Sequence, residues 1–353
     1  MQRILLLAFL AILTSSCIKE TTPVITDLTD SYLAGKGVFV VNEGNFRSGN
    51  GSLSFFSYDS LKIYNHVFLD INNRPLGDIP YSMNIHGSNA YIIVNNSDKI
   101  EVVNRNDMKS VAVINRIKSP RYISFISDAK AYVTSLYSDS ITVINLLTNS
   151  VSGYIDIKTT SESIATLYSD AFVASWINGN KIMVINTLID KVTDSITVGR
   201  EPESMVIDKN ETLWVLCNGG WNRDYYAELL GINTRTKGVE KRFTFPLKTD
   251  SPVCLQINQR GETLFYIHNG VRMMNIEAET LPSDVFIPGL DHNFYKMGVN
   301  PENGEIFVTD AGDFTRKGQL IRYSIAGTII SSYQTDIIPG SICFKVDPDS
   351  EIQ

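Results

Sequence analysis

The feature that most constrains the fold of this 353-residue chain is an internal repeat that occurs seven times. Each repeat opens with a short apolar segment. The opening residues are Pro80, Pro120, Ser161, Pro202, Pro252, Phe294 and Pro339. Successive openings are 40, 41, 41, 50, 42 and 45 residues apart. A period of this size is typical of solenoids and propellers, in which one supersecondary unit packs against the next.

Each repeat is composed of short strand-like segments. In the unit that opens at Pro120, apolar and polar residues alternate in four segments, 119–125, 130–134, 140–145 and 151–155. Alternation with a period of two indicates half-buried strands, and the Asp, Asn, Ser and Gly residues between them indicate turns. Four strands make one propeller blade, so the sequence predicts an all-β fold, a seven-bladed β-propeller.

The two ends of the repeat array are incomplete in complementary ways. The unit that opens at Pro339 has room for only one strand before the C-terminus, and the first strands, at 37–42, 52–58 and 61–67, have no opening strand of their own. We therefore predict that the C-terminal strand completes the N-terminal blade, because this closure removes open sheet edges. The predicted propeller spans residues 37–346, and a short tail follows at 347–353.

The residues before the first blade resemble a bacterial lipoprotein signal. An apolar run at 4–13 follows Arg3 and is too short to span a bilayer, and small residues then precede Cys17. This pattern resembles a lipobox, which implies removal of residues 1–16, acylation of Cys17 and attachment to a membrane through the acyl chains. Residues 17–36 show no periodicity, so we interpret them as the lipidated cysteine and a flexible tether.

Charge and cysteine content argue against two kinds of site. The net charge of −7, with no Lys/Arg run longer than two residues, argues against nucleic-acid binding. The cysteines after the lipid anchor lie in apolar strand-like segments without metal-ligand spacing, so we expect buried free thiols and no metal site. They are Cys217, Cys254 and Cys343.

Catalytic motifs are also missing from the sequence. It contains no nucleophile elbow, no zinc-protease motif and no phosphate loop, and its four histidines show no metal-ligand spacing. We therefore predict a binding protein without a cofactor rather than an enzyme, although a ring of blades could still bring distant carboxylates together.

One end of the predicted ring is the expected place for a site. The loops that enter each inner strand and those that join the second and third strands share one face, and function generally lies on such loops. The residues that follow the openings would surround the mouth of the central channel. They are Tyr81, Arg121, Glu162, Glu203, Val253, Tyr295 and Gly340. These side chains either contact a ligand or pair with one another, for instance Arg121 with Glu162 or Glu203.

The loops between second and third strands are rich in aromatic and amide side chains. The longest is 218–226 in the fifth blade, which accounts for the 50-residue gap. Such loops suit a large, partly apolar ligand with many hydrogen-bonding groups, or a protein surface. The predicted ligand-binding residues from these loops and from the channel mouth are Asn45, Phe46, Tyr81, Asn96, Arg121, Tyr137, Trp176, Glu203, Trp221, Tyr226, Tyr295 and Asp313.

Several segments resemble a known family. The segments 38–46, 91–96, 119–123, 300–311 and 338–345 are similar to the YncE-like (DUF5074-type) propeller lipoproteins of Bacteroidetes, and within that group to the BtuG surface lipoproteins, which bind vitamin B12. This resemblance covers residues 37–345 and implies the seven-bladed fold. It also implies capture of cobalamin or related corrinoids and their transfer to a TonB-dependent outer-membrane transporter.

The resemblance further implies a place for the protein in the cell. Residues 18–20, Ile-Lys-Glu, resemble the charged signal that exports such lipoproteins to the cell surface, so we expect a lipid-anchored protein of the outer membrane. Two other functions stay open on the sequence alone. The propeller face could recognise a protein or a glycan as a scaffold, or it could belong to a lyase or hydrolase.

Overall fold

The computed structural model describes residues 32–346, in which 27 β-strands form seven sheets around a central axis. Six sheets contain four antiparallel strands and one contains three. The predicted all-β, seven-bladed propeller is therefore confirmed.

The first five blades have four strands each, in the following order from the inner to the outer edge. Blade 1 contains β27 (Pro339–Lys345), β1 (Gly37–Asn42), β2 (Ser52–Ser57) and β3 (Lys62–Tyr64). Blade 2 contains β4 (Pro80–His86), β5 (Asn89–Val94), β6 (Lys99–Asn104) and β7 (Ser110–Asn115). Blade 3 contains β8 (Pro120–Ser127), β9 (Lys130–Ser135), β10 (Ser140–Asn145) and β11 (Ser150–Asp156). Blade 4 contains β12 (Ser161–Leu167), β13 (Asp170–Ser175), β14 (Lys181–Asn186) and β15 (Lys191–Thr197), and blade 5 contains β16 (Pro202–Ile207), β17 (Thr212–Cys217), β18 (Glu228–Asn233) and β19 (Val239–Thr244).

The last two blades differ in strand number. Blade 6 contains β20 (Val253–Ile257), β21 (Thr263–Ile267) and β22 (Val271–Asn275), and blade 7 contains β23 (Phe294–Val299), β24 (Ile306–Asp310), β25 (Lys317–Tyr323) and β26 (Ile329–Ile337). A helix, α1 (Val67–Asn72), and a 3₁₀ turn, Asn95–Ser97, are the other regular elements between residues 32 and 346.

The ring closes as the sequence predicts. Strand β27 pairs antiparallel with β1, from Gly37 opposite Lys345 to Asn42 opposite Pro339. The C-terminal strand is thus the inner strand of the blade that the N-terminal strands begin. Strand β1 is paired on both sides, with β27 and with β2, which leaves no open edge at the junction.

The hydrophobic core is divided into seven clusters, one between each pair of adjacent blades. Between blades 1 and 2, for example, Phe39 and Phe55 pack against Met83 and Ile92, and all four are almost completely buried. Between blades 7 and 1, Phe307 packs in a cluster with side chains of β1 and β2. Full burial of one such side chain contributes about 1.5–3 kcal/mol. Because each blade contributes to two clusters, its strands need both neighbours.

Two local predictions are wrong. Blade 6 has no fourth strand, because the segment after β22 contains Pro282 and Pro288, which cannot donate ladder hydrogen bonds, and forms only an isolated bridge between Val271 and Ile287. The strand predicted at 61–67 ends at Tyr64. Helix α1 follows it, with Val67 and Phe68 buried in the cluster between blades 1 and 2.

The N-terminal boundary of the folded region also differs from the prediction. The sequence predicts a tether that extends to residue 36, but Leu33 is fully buried and Tyr32 stacks on Tyr64 with ring centroids 3.9 Å apart. Apolar side chains this close to β1 are drawn into its core. The predicted signal peptide, the lipidation site Cys17, the rest of the tether and the tail at 347–353 lie outside the described residues.

Two further observations concern the described chain. Cys217 and Cys254 are buried free thiols, as predicted, and Cys343 is buried as well. No helix between residues 32 and 346 is long and apolar enough to cross a bilayer.

Candidate ligand-binding face

We define the loop face as the end of the ring where the inner strands begin and where second and third strands are joined. One backbone hydrogen bond recurs there. The first loop residue donates its N–H to the carbonyl just before the inner strand, as in Asn95 to Ile79 (2.8 Å) and Leu136 to Ser119 (2.9 Å). Equivalent bonds occur in blades 1, 4, 5 and 7. They hold these loops against the rim of the central channel.

A β-bulge at the start of each inner strand sets the direction of the channel side chains. The pairing register shifts within the first residues of the strand, for example between Pro120 and Ile123 in blade 3 and between Phe294 and Met297 in blade 7. Such bulges re-aim side chains. Side chains at the first and second positions after the opening, such as Tyr81, Tyr122 and Lys296, therefore interact across the channel.

A buried ion pair lies at the mouth of the channel. The Arg121 guanidinium donates to both carboxylate oxygens of Glu162, at 2.7 and 2.6 Å, and Glu162 also accepts from the Tyr81 hydroxyl at 2.9 Å. Glu162 is 1% exposed. Burial opposes the charge on Arg121, but the Glu162 carboxylate outweighs it, so the pKa of Arg121 is raised. Burial raises the pKa of Tyr81, which stays a neutral donor.

Three more polar contacts lie at the mouth. Together with the ion pair they form what we call the mouth network, whose side chains are those of Tyr81, Arg121, Glu162, Glu203, Lys296, Tyr295 and Glu43. Lys296 Nζ lies 2.9 Å from Glu203 Oε1, while the Cys254 N–H donates to the other Glu203 oxygen at 2.8 Å. Burial would raise the pKa of Glu203, but the Lys296 charge and these hydrogen bonds lower it. Next to Lys296 on β23, the Tyr295 hydroxyl donates to Glu43 of blade 1 at 2.9 Å. Burial raises the pKa of the Glu43 carboxyl.

Four predicted ligand residues, Tyr81, Arg121, Glu203 and Tyr295, belong to this network. The structure therefore uses them to bridge blades, and Arg121 pairs with Glu162, one of the two partners that the sequence suggested. The network lies at the mouth of the channel on the loop face. Sequence reasoning missed its other members, Glu43 and Lys296, because only the bulge and the loop of blade 1 bring them to the mouth.

Exposed aromatic side chains surround the mouth network, and we call them the aromatic rim. Its most exposed members are Trp221 (87% exposed), Phe46 (62%) and Tyr137 (57%). Tyr226 is about half exposed, and Trp176 is half-buried. These five predicted residues come from blades 1, 3, 4 and 5, so the structure places them on one face. The rim also includes Tyr225 and Phe314, and the exposed aliphatic Ile177 lies next to Trp176 on the same face; the prediction did not include these three residues.

The loops of blades 4 and 5 are joined by a single carboxylate. Glu201 accepts from the backbone N–H of Asn178 at 3.1 Å and from that of Trp221 at 3.0 Å. The Arg200 guanidinium lies 4.5 Å from the centre of the Tyr225 ring. The long loop 218–226 is therefore positioned by backbone contacts, while the Trp221 indole is left to solvent. Glu201 precedes the blade opening, a place to which the repeat pattern gave no role.

The remaining predicted residues make local contacts on this face. The Asn45 amide donates to the Phe314 carbonyl at 3.0 Å, and Phe314 packs edge-on against Tyr295. The Asn96 amide donates to Asp78. Hydrogen bonds from the Thr315 backbone and side chain lower the pKa of Asp313 to about 2. Asn45 and Asp313 thus belong to the sector where blades 7 and 1 meet, and Asn96 to blade 2.

Sequence comparison places the chain in a family. The family model described as "Domain of unknown function (DUF5074)" matches residues 36–339, which is nearly the whole propeller. The chain belongs to the DUF5074 family. No curated protein matches it in sequence.

Solved structures share the fold of this DUF5074 protein. A quinonprotein alcohol dehydrogenase-like protein from Bacteroides thetaiotaomicron aligns with a TM-score of 0.68 at 14% identity, covering 88% of this chain and 78% of that one. A functionally unknown protein from Desulfotomaculum acetoxidans gives 0.65 at 16%, covering 88% and 99%. Kuenenia stuttgartiensis hydrazine synthase gives 0.63 at 16%, covering 77% and 90%. At these identities the likeness shows the propeller fold alone.

Proposed function

We propose that the loop face binds cobalamin or a related corrinoid and that the protein passes it to a TonB-dependent outer-membrane transporter. The observation that supports this most is the aromatic rim, which surrounds the polar mouth network. The proposed role is binding and transfer without catalysis.

The chemistry of the rim suits such a ligand. A corrin ring has broad apolar faces fringed with amide groups. Exposed rings such as Trp221, Tyr137 and Phe46 can pack on apolar faces, while asparagine side chains and loop backbone groups can bond the amides. The similarity to YncE-like and BtuG lipoproteins supports the same ligand class.

The direction of the chain supports a free loop face. Strand β1 begins at the opposite end of the ring, which we call the turn face, where Gly37 pairs with Lys345. A tether from a lipidated Cys17 would therefore reach the propeller at the turn face. In an outer-membrane, surface-exposed lipoprotein, this arrangement leaves the loop face open to ligand and transporter.

The experiment is a calorimetric titration of the protein with cyanocobalamin. We expect saturable one-to-one binding at submicromolar affinity, and a loss of at least about tenfold when Trp176, Trp221 and Tyr226 are all changed to Ala, because aromatic anchors dominate such sites. A matched control changes three exposed apolar residues of the turn face, Leu147, Tyr168 and Leu188, to Ala. The control should bind like the wild type.

A second candidate function is recognition of a protein or glycan on the same face. Exposed aliphatic side chains of the loop face, such as Ile177 (44% exposed) and Leu247 (59%), favour a protein contact. Absence of heat with cyanocobalamin at high protein concentration would reject the corrinoid proposal and leave this one. Equal binding by the triple rim variant and the wild type would instead reject the loop face as the corrinoid site.

A further inference from the structure

The central channel contains a cavity of about 400 Å³ beneath the mouth network. Its wall is formed by the inner strands of all seven blades. Tyr81, Lys296 and Glu203 lie at its upper end, while Val299, Pro301 and Phe344 lie further along the inner strands, toward the turn face. The mouth network forms the end of this cavity that lies toward the loop face.

At one level of the channel, formed by the second residue after each blade opening, three hydroxyl groups have no hydrogen-bonding partner among the described residues. The Ser163 hydroxyl is buried, and it makes no hydrogen bond in the described chain. The Tyr122 and Ser341 hydroxyls, at equivalent positions of blades 3 and 1, also line the cavity and have no hydrogen bond to another described residue. An unsatisfied buried polar group is costly, so the Ser163 hydroxyl and its two neighbours at this level indicate a place for a polar guest.

The charges at this level are already balanced by protein groups. Lys296 pairs with Glu203, and Arg121 pairs with Glu162. Burial raises the pKa of the nearby Glu43, which favours its neutral form. Another buried charge would find no free counter-charge and would lose its hydration. The polar end of a guest should therefore be uncharged.

Part of the cavity wall is apolar. Met205, Met297, Ile342 and Phe344 line it next to the hydroxyl level. Two methionines give this wall an adaptable shape, since the side chain is unbranched and flexible. A guest with a polar end and an apolar body would match both parts of the cavity.

We propose that the channel is a second binding site, for a small neutral molecule that has a hydrogen-bonding head, such as an amide or an alcohol, and an apolar body. The head would contact the hydroxyls of Ser163, Tyr122 and Ser341, and the body would lie on the methionine-lined wall. This site does not depend on the corrinoid proposal, because none of the residues that would contact the guest belongs to the aromatic rim.

The test compares three probes of the same length, hexanamide, hexanoate and hexylammonium, by calorimetry and ligand-detected NMR on the full protein. We expect saturable one-to-one binding of hexanamide, at least about tenfold tighter than that of either charged probe, because a buried charge would lack a partner. Absence of saturable hexanamide binding at about 10 mM would show that water alone fills the channel and would overturn the proposal. Equal affinity for all three probes would also overturn it.

Two conservative variants locate the site. Ser163→Ala and Tyr122→Phe should each weaken hexanamide binding about threefold or more, whereas removal of an unpartnered hydroxyl should leave the empty protein equally or more stable. Tyr154→Phe, exposed on the outer strand β11 of blade 3, is the matched control and should bind hexanamide like the wild type. Unchanged binding in both channel variants would refute the assignment. Ser163→Leu, which fills the cavity, should abolish binding if it folds.

Discussion

The buried pair of Arg121 and Glu162 allows a quantitative test of the mouth network. The two side chains make a bidentate contact at 2.6–2.7 Å, and their exposed fractions are 12% and 1%. Removing one partner of a buried pair leaves an uncompensated charge, which costs about 3–5 kcal/mol, while replacing both by apolar residues is close to neutral. We therefore expect Arg121→Met and Glu162→Met each to lower the free energy of unfolding by about 3–5 kcal/mol.

The double variant is the informative one. It should lie within about 2 kcal/mol of the wild type, so that the double-mutant cycle gives a coupling of at least about 4 kcal/mol. The measurement is urea unfolding followed by both circular dichroism and tryptophan fluorescence, since coincident transitions are needed for a free energy. The exposed pair Arg235 and Glu211, with a 2.8 Å contact, is the control and should show much weaker coupling.

Additive effects of the two substitutions at the mouth, or single variants as stable as the wild type, would refute the reasoning. Either result would mean that water reaches the pair and screens it. Arg121 and Glu162 would then be accessible groups at the mouth of the channel and would return as candidate ligand contacts.

Two other predictions concern closure and pH. A chain that ends at Asp336 lacks β27 and should melt at a lower temperature in a single broad transition, because both hydrophobic clusters next to blade 1 lose their support. A thermal melting curve as high and sharp as that of the full chain would contradict the closure. The Glu43 carboxyl has a raised pKa in the folded state, so its contribution to stability is present below its unfolded pKa and is lost as the pH rises through the folded value. Glu43→Gln mimics the protonated form and keeps an acceptor for Tyr295, so its stability relative to the wild type should increase between pH 4 and pH 8 in paired urea titrations. A constant difference over that range would show that the carboxyl titrates normally.

The sequence predicted the architecture because the relevant signals are local and repeated. Alternation within each strand and the regular return of an opening such as Pro120 or Pro202 need no knowledge of distant contacts. The missing strands at the two ends of the chain are complementary, so closure through β27 also followed from counting. Where a repeat departed from its pattern, as in α1 and in the segment after β22, the local signal was weaker and the prediction was wrong.

The sequence also indicated which loops form the candidate site, although not how their residues divide. Exposed loop residues such as Trp221 and Phe46 stand at the rim, because long polar loops with aromatic residues have no strand partner to bury them. Tyr81 and Arg121 follow the openings of their repeats, and contacts with neighbouring blades draw them into a buried network. A single repeat does not specify these contacts, because each partner comes from another blade.

What the sequence alone determined is the number of blades, the way the ring closes and the face on which the loops lie. The tertiary structure decided which side chains meet across the channel, because those distances depend on the bulge that opens each inner strand and on the radius of the ring. Lys296 meets Glu203 from 93 residues away, and Tyr295 meets Glu43 from 252 residues away. Pairings at such separations follow from the packing of seven blades around one axis, and no local pattern in the chain specifies them.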